Sequence, residues 1–261
     1  METRIFTDQL RNKVAVPCSP KRIISLVPSQ TELLADLGLN EQVVGITKFC
    51  IHPAVWRKSK TIIGGTKKFD FNRIRSLNPD LIIGNKEENY LEGIEQLKRE
   101  FPVWMSDVTT FADAIHLIEQ LGMITGCAQR AVNLIGQIEN SFKLLEKIKP
   151  FTVLYLIWKE PWMAAGRETF INSMLEAAGF KNVLKKPRYP ELTDDAIRML
   201  NPEIILLSSE PYPFADKHKI ELERLVPGAK VILVNGESFS WYGSRLLKFA
   251  DYVKELRLQL P

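Results

Sequence analysis

The sequence predicts an α/β fold in which two Rossmann-like lobes, each with a mainly parallel sheet, are joined by one long rigid α-helix. Three observations carry this prediction. Short apolar runs alternate with amphipathic segments, as in parallel sheets that helices cover on both faces. One Asn-Pro element recurs, at residues 75–83 and again at residues 198–206. Residues 128–149 carry apolar side chains at spacings of three and four, which predicts a helix of about 33 Å between the two halves.

The first half consists of predicted strands that alternate with helices. After the apolar run 22–27, Ser29 and Glu32 have the spacing of a helix capping box, and Gly38 ends the helix that follows. The other strands are predicted at residues 43–47, 61–64, 80–84 and 103–107, and the other helices at residues 71–77 and 90–101.

Two consecutive helices are predicted in the middle of the chain, at residues 113–124 and 128–149, and Pro150 ends the second. The second half then resumes the alternation. Its strands are predicted at residues 152–157, 203–208 and 230–234, and its helices at residues 169–178, 193–200 and 244–260. We therefore predict an N-terminal lobe over residues 1–111, connecting helices over 112–150 and a C-terminal lobe over 151–261.

Composition excludes several classes of protein. With 45% hydrophobic and 25% charged residues among 261, the chain is neither disordered nor dependent on disulfides. The net charge of +4 is spread along the chain and indicates no nucleic-acid-binding surface. Cys18, Cys50 and Cys127 are too far apart for a zinc ribbon. No apolar run reaches the ~18–20 residues of a membrane span, and residues 1–8 are charged where a secretory signal is apolar, so a cytoplasmic location stays open.

The loops that follow the predicted strands are the expected functional region. Open parallel sheets bind ligands at the carboxyl ends of their strands, so two facing lobes predict a cleft there. A loop tryptophan beside Gly and Pro is more often a contact surface than a packing residue. The pair Gly64 and Gly65 lacks the full phosphate-loop motif and predicts a turn that admits a ligand close to the backbone. The candidate ligand-binding side chains are Phe49, Trp158, Trp162, Arg167, Tyr189, Trp241 and Tyr242.

Three motifs in chain order carry a resemblance to a known family. They are the run from Arg22 to Glu32, the pair Gly64-Gly65, and the segment Ile74-x-x-Leu77-Asn78-Pro79-Asp80-Leu81-Ile82. From about Arg22 to Leu258 the chain resembles the substrate-binding proteins of cobalamin and iron-chelate ABC importers. The resemblance implies a monomeric, periplasmic or extracytoplasmic binding protein with no cofactor of its own, which closes little and delivers its ligand to permease subunits.

The resemblance also implies docking residues. In that family, one acidic residue on each lobe meets arginines of the permease. The second-lobe position falls on Asp195, with Asp194 beside it, and the first-lobe position falls on Asn72, with Asp70 nearby. The first lobe therefore departs from the family at this position.

Ligand chemistry remains open between three candidates. A corrinoid is large, fairly flat and edged with amides, which suits aromatic walls with few full charges. A ferric siderophore, often anionic, favours arginines, for which Arg167, Arg188 and Arg245 are candidates. Haem is the third candidate. His52, with Cys50 nearby, is a candidate axial ligand for the metal of such a chelate.

The alternative of another class is a cytosolic α/β enzyme. The sequence contains no G-x-S-x-G, H-E-x-x-H or G-x-G-x-x-G motif and no complete Walker loop. Catalysis would require loop carboxylates to converge, and the candidates are Glu87, Glu88, Glu160 and Glu237. We therefore expect binding without chemistry, with a corrinoid as the first candidate ligand.

Overall fold

The computed structural model describes residues 2–146 and 149–260 and divides the chain into two compact units. Unit 1 comprises Met1–Val108, Ala112–Ile138 and Tyr242–Arg245, and unit 2 comprises Thr109–Phe111, Glu139–Trp241 and Leu246–Pro261. This division differs from the predicted boundaries at three places. Most of the predicted connecting segment belongs to unit 1, and so does a short segment from the predicted C-terminal lobe. Thr109–Phe111, from the predicted N-terminal lobe, belong to unit 2.

Unit 1 is built on a parallel sheet. Its strands are β1 Thr3–Thr7, β2 Lys13–Pro17, β3 Ile23–Ser25, β4 Val43–Ile46, β5 Thr61–Ile62, β6 Gly64–Gly65, β7 Lys68–Phe69, β8 Leu81–Asn85 and β9 Val103–Ser106. Within the described residues, five strands pair in the order β5-β4-β3-β8-β9, and Ile24 lies opposite both Gly45 and Ile82. Every residue of β3, β8 and β9 is buried, as expected for a parallel sheet covered on both faces. The pairs β1-β2 and β6-β7 form separate antiparallel ribbons.

The helices of this part of the chain follow the prediction except for α2, which was not predicted, and for two corrections described below. They are α1 Pro28–Asp36, α2 Ala54–Ser59, α3 Phe71–Leu77, α4 Leu91–Lys98, α5 Phe111–Ile124 and α6 Ala128–Lys143. The capping box predicted at Ser29 and Glu32 is wrong. Val27 is the N-cap residue, without a side-chain bond, and Pro28 opens the helix. Proline needs no amide partner in the first turn, so the helix begins two residues earlier and takes Ser29 inside it.

The long helix is shorter than predicted. It ends at Lys143, which gives 16 residues and about 24 Å at about 1.5 Å per residue. Leu144 and Leu145 donate to the carbonyls three residues back, and Leu144 is 68% exposed. Because Leu144 stays exposed, its burial does not stabilise a further helical turn after Lys143. The predicted helix is therefore wrong for residues 144–146 and 149. The predicted apolar position Ile148 lies outside the described residues.

Unit 2 contains a mixed sheet. Its strands are β10 Phe151–Trp158, β11 Trp162–Ala164, β12 Phe180–Asn182, β13 Glu191–Leu192, β14 Ile204–Ser208 and β15 Lys230–Val234. The order is β13-β11-β10-β14-β15, with β12 also paired to β10. Strand β10 pairs in parallel with β12 and β14, and β14 pairs in parallel with β15. Strand β11 pairs antiparallel with β10, and β13 pairs antiparallel with β11. The sequence did not predict β11, β12 or β13, because strands of two or three residues show no periodicity.

The helices of unit 2 cover this sheet and include two that the sequence did not predict, α9 and α10. They are α7 Phe170–Ala177, α8 Asp194–Leu200, α9 Asp216–Leu225, α10 Gly236–Ser240 and α11 Phe249–Arg257. The predicted closing helix 244–260 is divided: residues 244–248 form a 3-10 helix, and α11 follows.

The Asn-Pro repeat is confirmed in both units. Asn78 after α3 and Asn201 after α8 have φ of 43° and 42°, and each is followed by proline and a buried strand. Asparagine tolerates this left-handed conformation and ends the helix, and proline then prevents its continuation. The first turns match as well, because the side chains of Asp70 and Thr193 each accept a backbone amide three residues ahead.

Candidate ligand-binding loops

A buried polar network lies at the carboxyl end of the unit 1 sheet. Gln30 Nε2 donates to Ser106 Oγ at 2.6 Å, and Asn85 Nδ2 donates to the same oxygen at 3.0 Å. Asn89 Nδ2 donates to Thr66 O at 3.1 Å, and Asn89 Oδ1 accepts from Asn85 N at 2.9 Å. These bonds connect α1, the turn after β6, the end of β8 with its following loop, and the end of β9. The sequence indicates the polar stretches that contain Gln30, Asn85 and Asn89, but not this network, because only the fold brings them to Ser106.

Tyr242 lies beside this network, in the short segment that joins unit 1. It is buried, and burial raises the pKa of its hydroxyl above the usual value, with Glu88 adding to the rise and Ser29 and Ser106 opposing it. Tyr242 is therefore neutral at physiological pH. Its role in ligand binding stays a prediction, and little of its ring is accessible at the surface.

The loop after β4 presents an aromatic ring to solvent. Cys50 is buried, with Thr31 Oγ1 at 3.1 Å and Thr47 Oγ1 at 3.2 Å from its sulfur. Burial raises the pKa of the Cys50 thiol, which disfavours its thiolate form. The neighbouring Phe49 is 50% exposed and lies over Gly65, where a Cβ atom would come within 3.2 Å of the ring. The buried cysteine thus holds the loop while the phenylalanine faces outward.

A pocket of about 870 Å³ opens beside Phe49, entirely within unit 1. Its walls combine aromatic rings with cationic side chains. The lining includes Lys48, Phe49, Lys67, Lys68, Phe69 and Arg75. Gly64 has φ of +105°, and a Cβ there would come within 2.4 Å of Lys68 O, so glycine is required for the turn. Gly64 and Gly65 line the pocket as the short strand β6, and the turn follows them at residues 66–67.

In unit 2 one tryptophan is accessible at the carboxyl end of the sheet. Trp158, the last residue of β10, is 40% exposed and packs edge-on against Tyr212 at 5.5 Å between ring centroids. Tyr212 Oη lies 3.2 Å from Nε2 of the buried His218, whose Nδ1 accepts from Ala215 N at 3.0 Å. A hydrogen-bonded platform thus supports the exposed indole.

The other two candidate tryptophans are buried, and Trp162 lies in a strand and not in the predicted loop. Trp162 lies in β11, stacks on Phe214 at 6.2 Å, and donates from Nε1 to Asp194 Oδ1 at 2.8 Å. Trp241 donates from Nε1 to Glu210 Oε1 at 2.9 Å. The short strand around Trp162 explains the error, because β11 was taken as loop. Indoles that are this covered within their own unit contribute chiefly to packing.

The arginine candidates separate into two groups. Arg245 forms a buried ion pair with Glu32, so its charge is compensated. Arg167 and Arg188 are exposed on adjacent segments joined by the amide of Arg188, which donates to Arg167 O at 2.7 Å. The guanidinium of Arg188 lies 5.7 Å from the Tyr189 ring. An exposed basic strip with one tyrosine therefore remains available in unit 2.

The predicted docking acids lie at the starts of two equivalent helices. Asp70 caps α3 and pairs with Arg73 at 3.1 Å, and Asn72 lies in the first turn of that helix. In α8, Asp195 is paired with Arg198, whereas Asp194 accepts from the Trp162 indole. Asp194 thus holds the core of unit 2, and Asp195 remains the more exposed of the two acids.

Metal ligation and catalysis receive no support from clustered side chains. Residues 2–146 and 149–260 contain no group of three or more His, Cys, Asp and Glu residues that could hold a metal ion. His52, in the loop after β4, is half-buried and remains a predicted axial ligand only. A chelate needs few protein ligands for its metal, so this finding does not test His52.

No helix among the described residues has the length and apolarity to cross a membrane.

Comparisons with known families and relatives agree on one family. A family model described as periplasmic binding protein matches residues 23–236. An ABC transporter substrate-binding lipoprotein of Bacillus subtilis, YvrC, is 28% identical over 212 residues, covering 76% of this chain and 67% of its own. A protein named vitamin B12-binding protein from Pectobacterium carotovorum is 23% identical over 243 residues, covering 90% and 87%.

Solved structures share the fold. The periplasmic haem-binding protein RhuT from Roseiflexus superposes with a TM-score of 0.78 at 22% identity, covering 91% of this chain and 97% of its own. The vitamin B12-binding protein BtuF of Vibrio cholerae superposes with a TM-score of 0.74 at 18% identity, covering 93% and 100%. At these identities the likeness concerns the fold alone.

Proposed function

Because this chain belongs to the periplasmic binding protein family and is a solute-binding component of the ABC-importer type, we propose that its solute is a corrinoid. The chain is not an enzyme, since the family consists of non-catalytic transport components. The question is therefore which ligand its loops hold.

The observation that carries the proposal is one accessible aromatic ring at the carboxyl end of each sheet. Phe49 in unit 1 and Trp158 in unit 2 are large apolar side chains that each unit leaves about half exposed. Small-molecule sites are lined mainly by hydrophobic and aromatic side chains. Rings of this kind stack on a flat macrocycle. Relatives named vitamin B12-binding protein, matched over about nine-tenths of the chain, add support for a corrinoid.

A second candidate is haem or a ferric siderophore, and a specific observation favours it. Arg167 and Arg188 form an exposed basic strip with Lys185 and Lys186 in unit 2. Carboxylates and catecholates pair well with such groups. The fold likeness to haem-binding structures is compatible with this candidate but does not favour it.

Titration of the purified protein distinguishes the candidates. Cobalamin, cobinamide, haem and a ferric catecholate siderophore are added separately and followed by absorbance and calorimetry. Binding of a corrinoid at micromolar concentration or below, with weaker or no binding of the siderophore, supports the proposal. Binding of the siderophore alone overturns it. His52→Ala tests axial ligation, since loss of a protein nitrogen from the metal changes the visible spectrum of the bound chelate.

We also propose that the complex docks to ABC permease subunits outside the cytoplasm, with Asp195 as a contact. Asn72, at the equivalent place in unit 1, carries no charge, so the two docking positions contribute unequally. In proteoliposomes with the cognate importer, Asp195→Asn is expected to reduce ligand-stimulated ATP hydrolysis, whereas Asn72→Asp is expected to preserve or increase it. Equal activity of Asp195→Asn and the unmodified protein contradicts the docking proposal. Fractionation of cells that express the natural gene tests location.

A further inference from the structure

The pocket beside Phe49 is lined by more cationic side chains than the nearby carboxylates neutralise. Arg75 is paired with Glu100 through bonds of 2.7 and 2.8 Å, and the carboxylate of Asp70 is paired with Arg73. Those charges cancel within α3 and its surroundings. Lys67 donates to the backbone carbonyl of Glu87 at 2.6 Å, which holds the ammonium group in place without neutralising it. Neither Glu87 nor Glu88 is among the residues that line the pocket.

Two further lysines are unpaired by any carboxylate among the residues that the structure describes. Lys48 and Lys68 line the pocket, and both are exposed at its rim. The ammonium group of Lys48 lies 5.0 Å from the centre of the Phe49 ring, so charge and apolar surface are adjacent. A ligand that contacts this face of Phe49 meets cationic groups at the same time.

We propose that this pocket binds an anionic arm of the ligand, a phosphate or a carboxylate, while the macrocycle stacks on Phe49. This inference rests on the proposed function, which supplies the macrocycle, and adds an anionic group on the periphery of that macrocycle. A volume of about 870 Å³ is large enough for an arm together with part of a ring. Gly64 and Gly65 keep side chains out of this space, which lets the arm reach the lysines.

Two kinds of tetrapyrrole supply the required anion. Cobalamin carries a phosphodiester in its nucleotide loop, and cobinamide lacks that group. Haem carries two propionates, and haem dimethyl ester lacks their charge. The haem pair keeps its macrocycle and differs in the charge of the propionates, so it isolates the contribution of the anion. Cobinamide lacks the ribose and the benzimidazole base together with the phosphodiester, so the corrinoid pair compares the whole nucleotide loop.

The test measures all four ligands against three proteins. The first is the unmodified chain, and the second is the double variant Lys48→Gln/Lys68→Gln. The third is Lys13→Gln/Lys58→Gln, which removes the same two charges from exposed positions outside the pocket. The unmodified chain is expected to prefer the anionic member of its ligand pair by about three- to tenfold at low salt. That preference is expected to disappear in the pocket variant, persist in the control, and shrink at high ionic strength.

The outcomes separate the two proposals. A preference that survives in Lys48→Gln/Lys68→Gln overturns the anion pocket and leaves the ring proposal standing. Failure of all four ligands to bind the unmodified chain overturns the proposed function. In that event inorganic pyrophosphate is the probe: weaker binding to the pocket variant than to the control supports the anion pocket, and equal binding overturns it.

Discussion

Arg245 and Glu32, which lie 213 positions apart in the chain, form a bidentate ion pair inside unit 1. Arg245 Nε and Nη2 each donate to one carboxylate oxygen at 2.8 Å, and both side chains are 11% exposed. The pair attaches the segment from Tyr242 to Arg245 to α1. Close packing continues at Gly243, whose φ is +98° and whose Cβ position lies 3.3 Å from Leu33.

Glu32→Ala is expected to lower the free energy of unfolding by about 3–5 kcal/mol, because it removes both carboxylate bonds of the buried Arg245 guanidinium. The double variant Glu32→Ala/Arg245→Ala is expected to lose less than the sum of the two single variants. Denaturation with urea measures all three. A loss below about 1 kcal/mol in Glu32→Ala would show that water solvates the guanidinium and that the pair does not anchor the segment.

Gly64→Ala is expected to destabilise unit 1 by about 1–3 kcal/mol, because the new Cβ meets a backbone oxygen and the φ angle is unfavourable for alanine. Gly136→Ala is the matched control, since this glycine lies within α6 and its Cβ position has no neighbour within 4 Å. Alanine favours helix, so the control is expected to be neutral or more stable by up to about 1 kcal/mol. Thermal unfolding of both variants compares them, and equal melting temperatures would contradict the requirement for glycine at position 64.

Phe49→Ala and Trp158→Ala are each expected to weaken binding of the tetrapyrrole by about tenfold or more, through lost stacking area. Leu91→Ala and Ile220→Ala remove exposed apolar side chains from other surfaces of the same units and serve as controls. Trp241→Ala, by contrast, is expected to lower stability, because it empties a buried position and leaves Glu210 with one bond fewer. Calorimetric titration together with unfolding curves separates the two effects. Unchanged affinity in both Phe49→Ala and Trp158→Ala would contradict the proposal that these two rings contact the ligand.

The stability of unit 2 is expected to fall in acid through His218. Burial lowers the pKa of this imidazole, Lys159 and Lys217 lower it further, and Glu221 opposes them. The folded chain therefore takes up its proton at lower pH than the unfolded chain, whose histidine has a pKa of about 6.5. The contribution to stability is complete above about pH 6.5 and is lost as the pH falls from there through the folded-state pKa.

Urea midpoints measured between pH 8 and pH 5 test this dependence. His218→Asn keeps an acceptor near Ala215 N but cannot take up the proton, so its midpoint is expected to change less with pH than that of the unmodified chain. His116→Asn, at an exposed histidine of α5, is the control and is expected to retain the full dependence. The same acid dependence in His218→Asn would show that another group is responsible.

Local sequence signals predicted the repeated architecture well. The elements from α3 to β8 and from α8 to β14 were found because a left-handed Asn and a Pro act on their own neighbours. The sequence also identified Phe49, Trp158 and the turn at Gly64 as parts of the candidate site. It misplaced Trp162, since a strand of three residues is defined by its partners and not by its own pattern.

The sequence by itself determined the order of the main strands and helices, the family, and the absence of an enzyme's motifs, because each of these depends on residues close together in the chain. Only the tertiary structure decided which side chains are available. It buried Trp162 and Trp241, paired Arg245 with Glu32, and left Lys48 and Lys68 without a carboxylate among the described residues. Burial and pairing depend on contacts between positions far apart in the chain, and those contacts exist only once the sheets have formed.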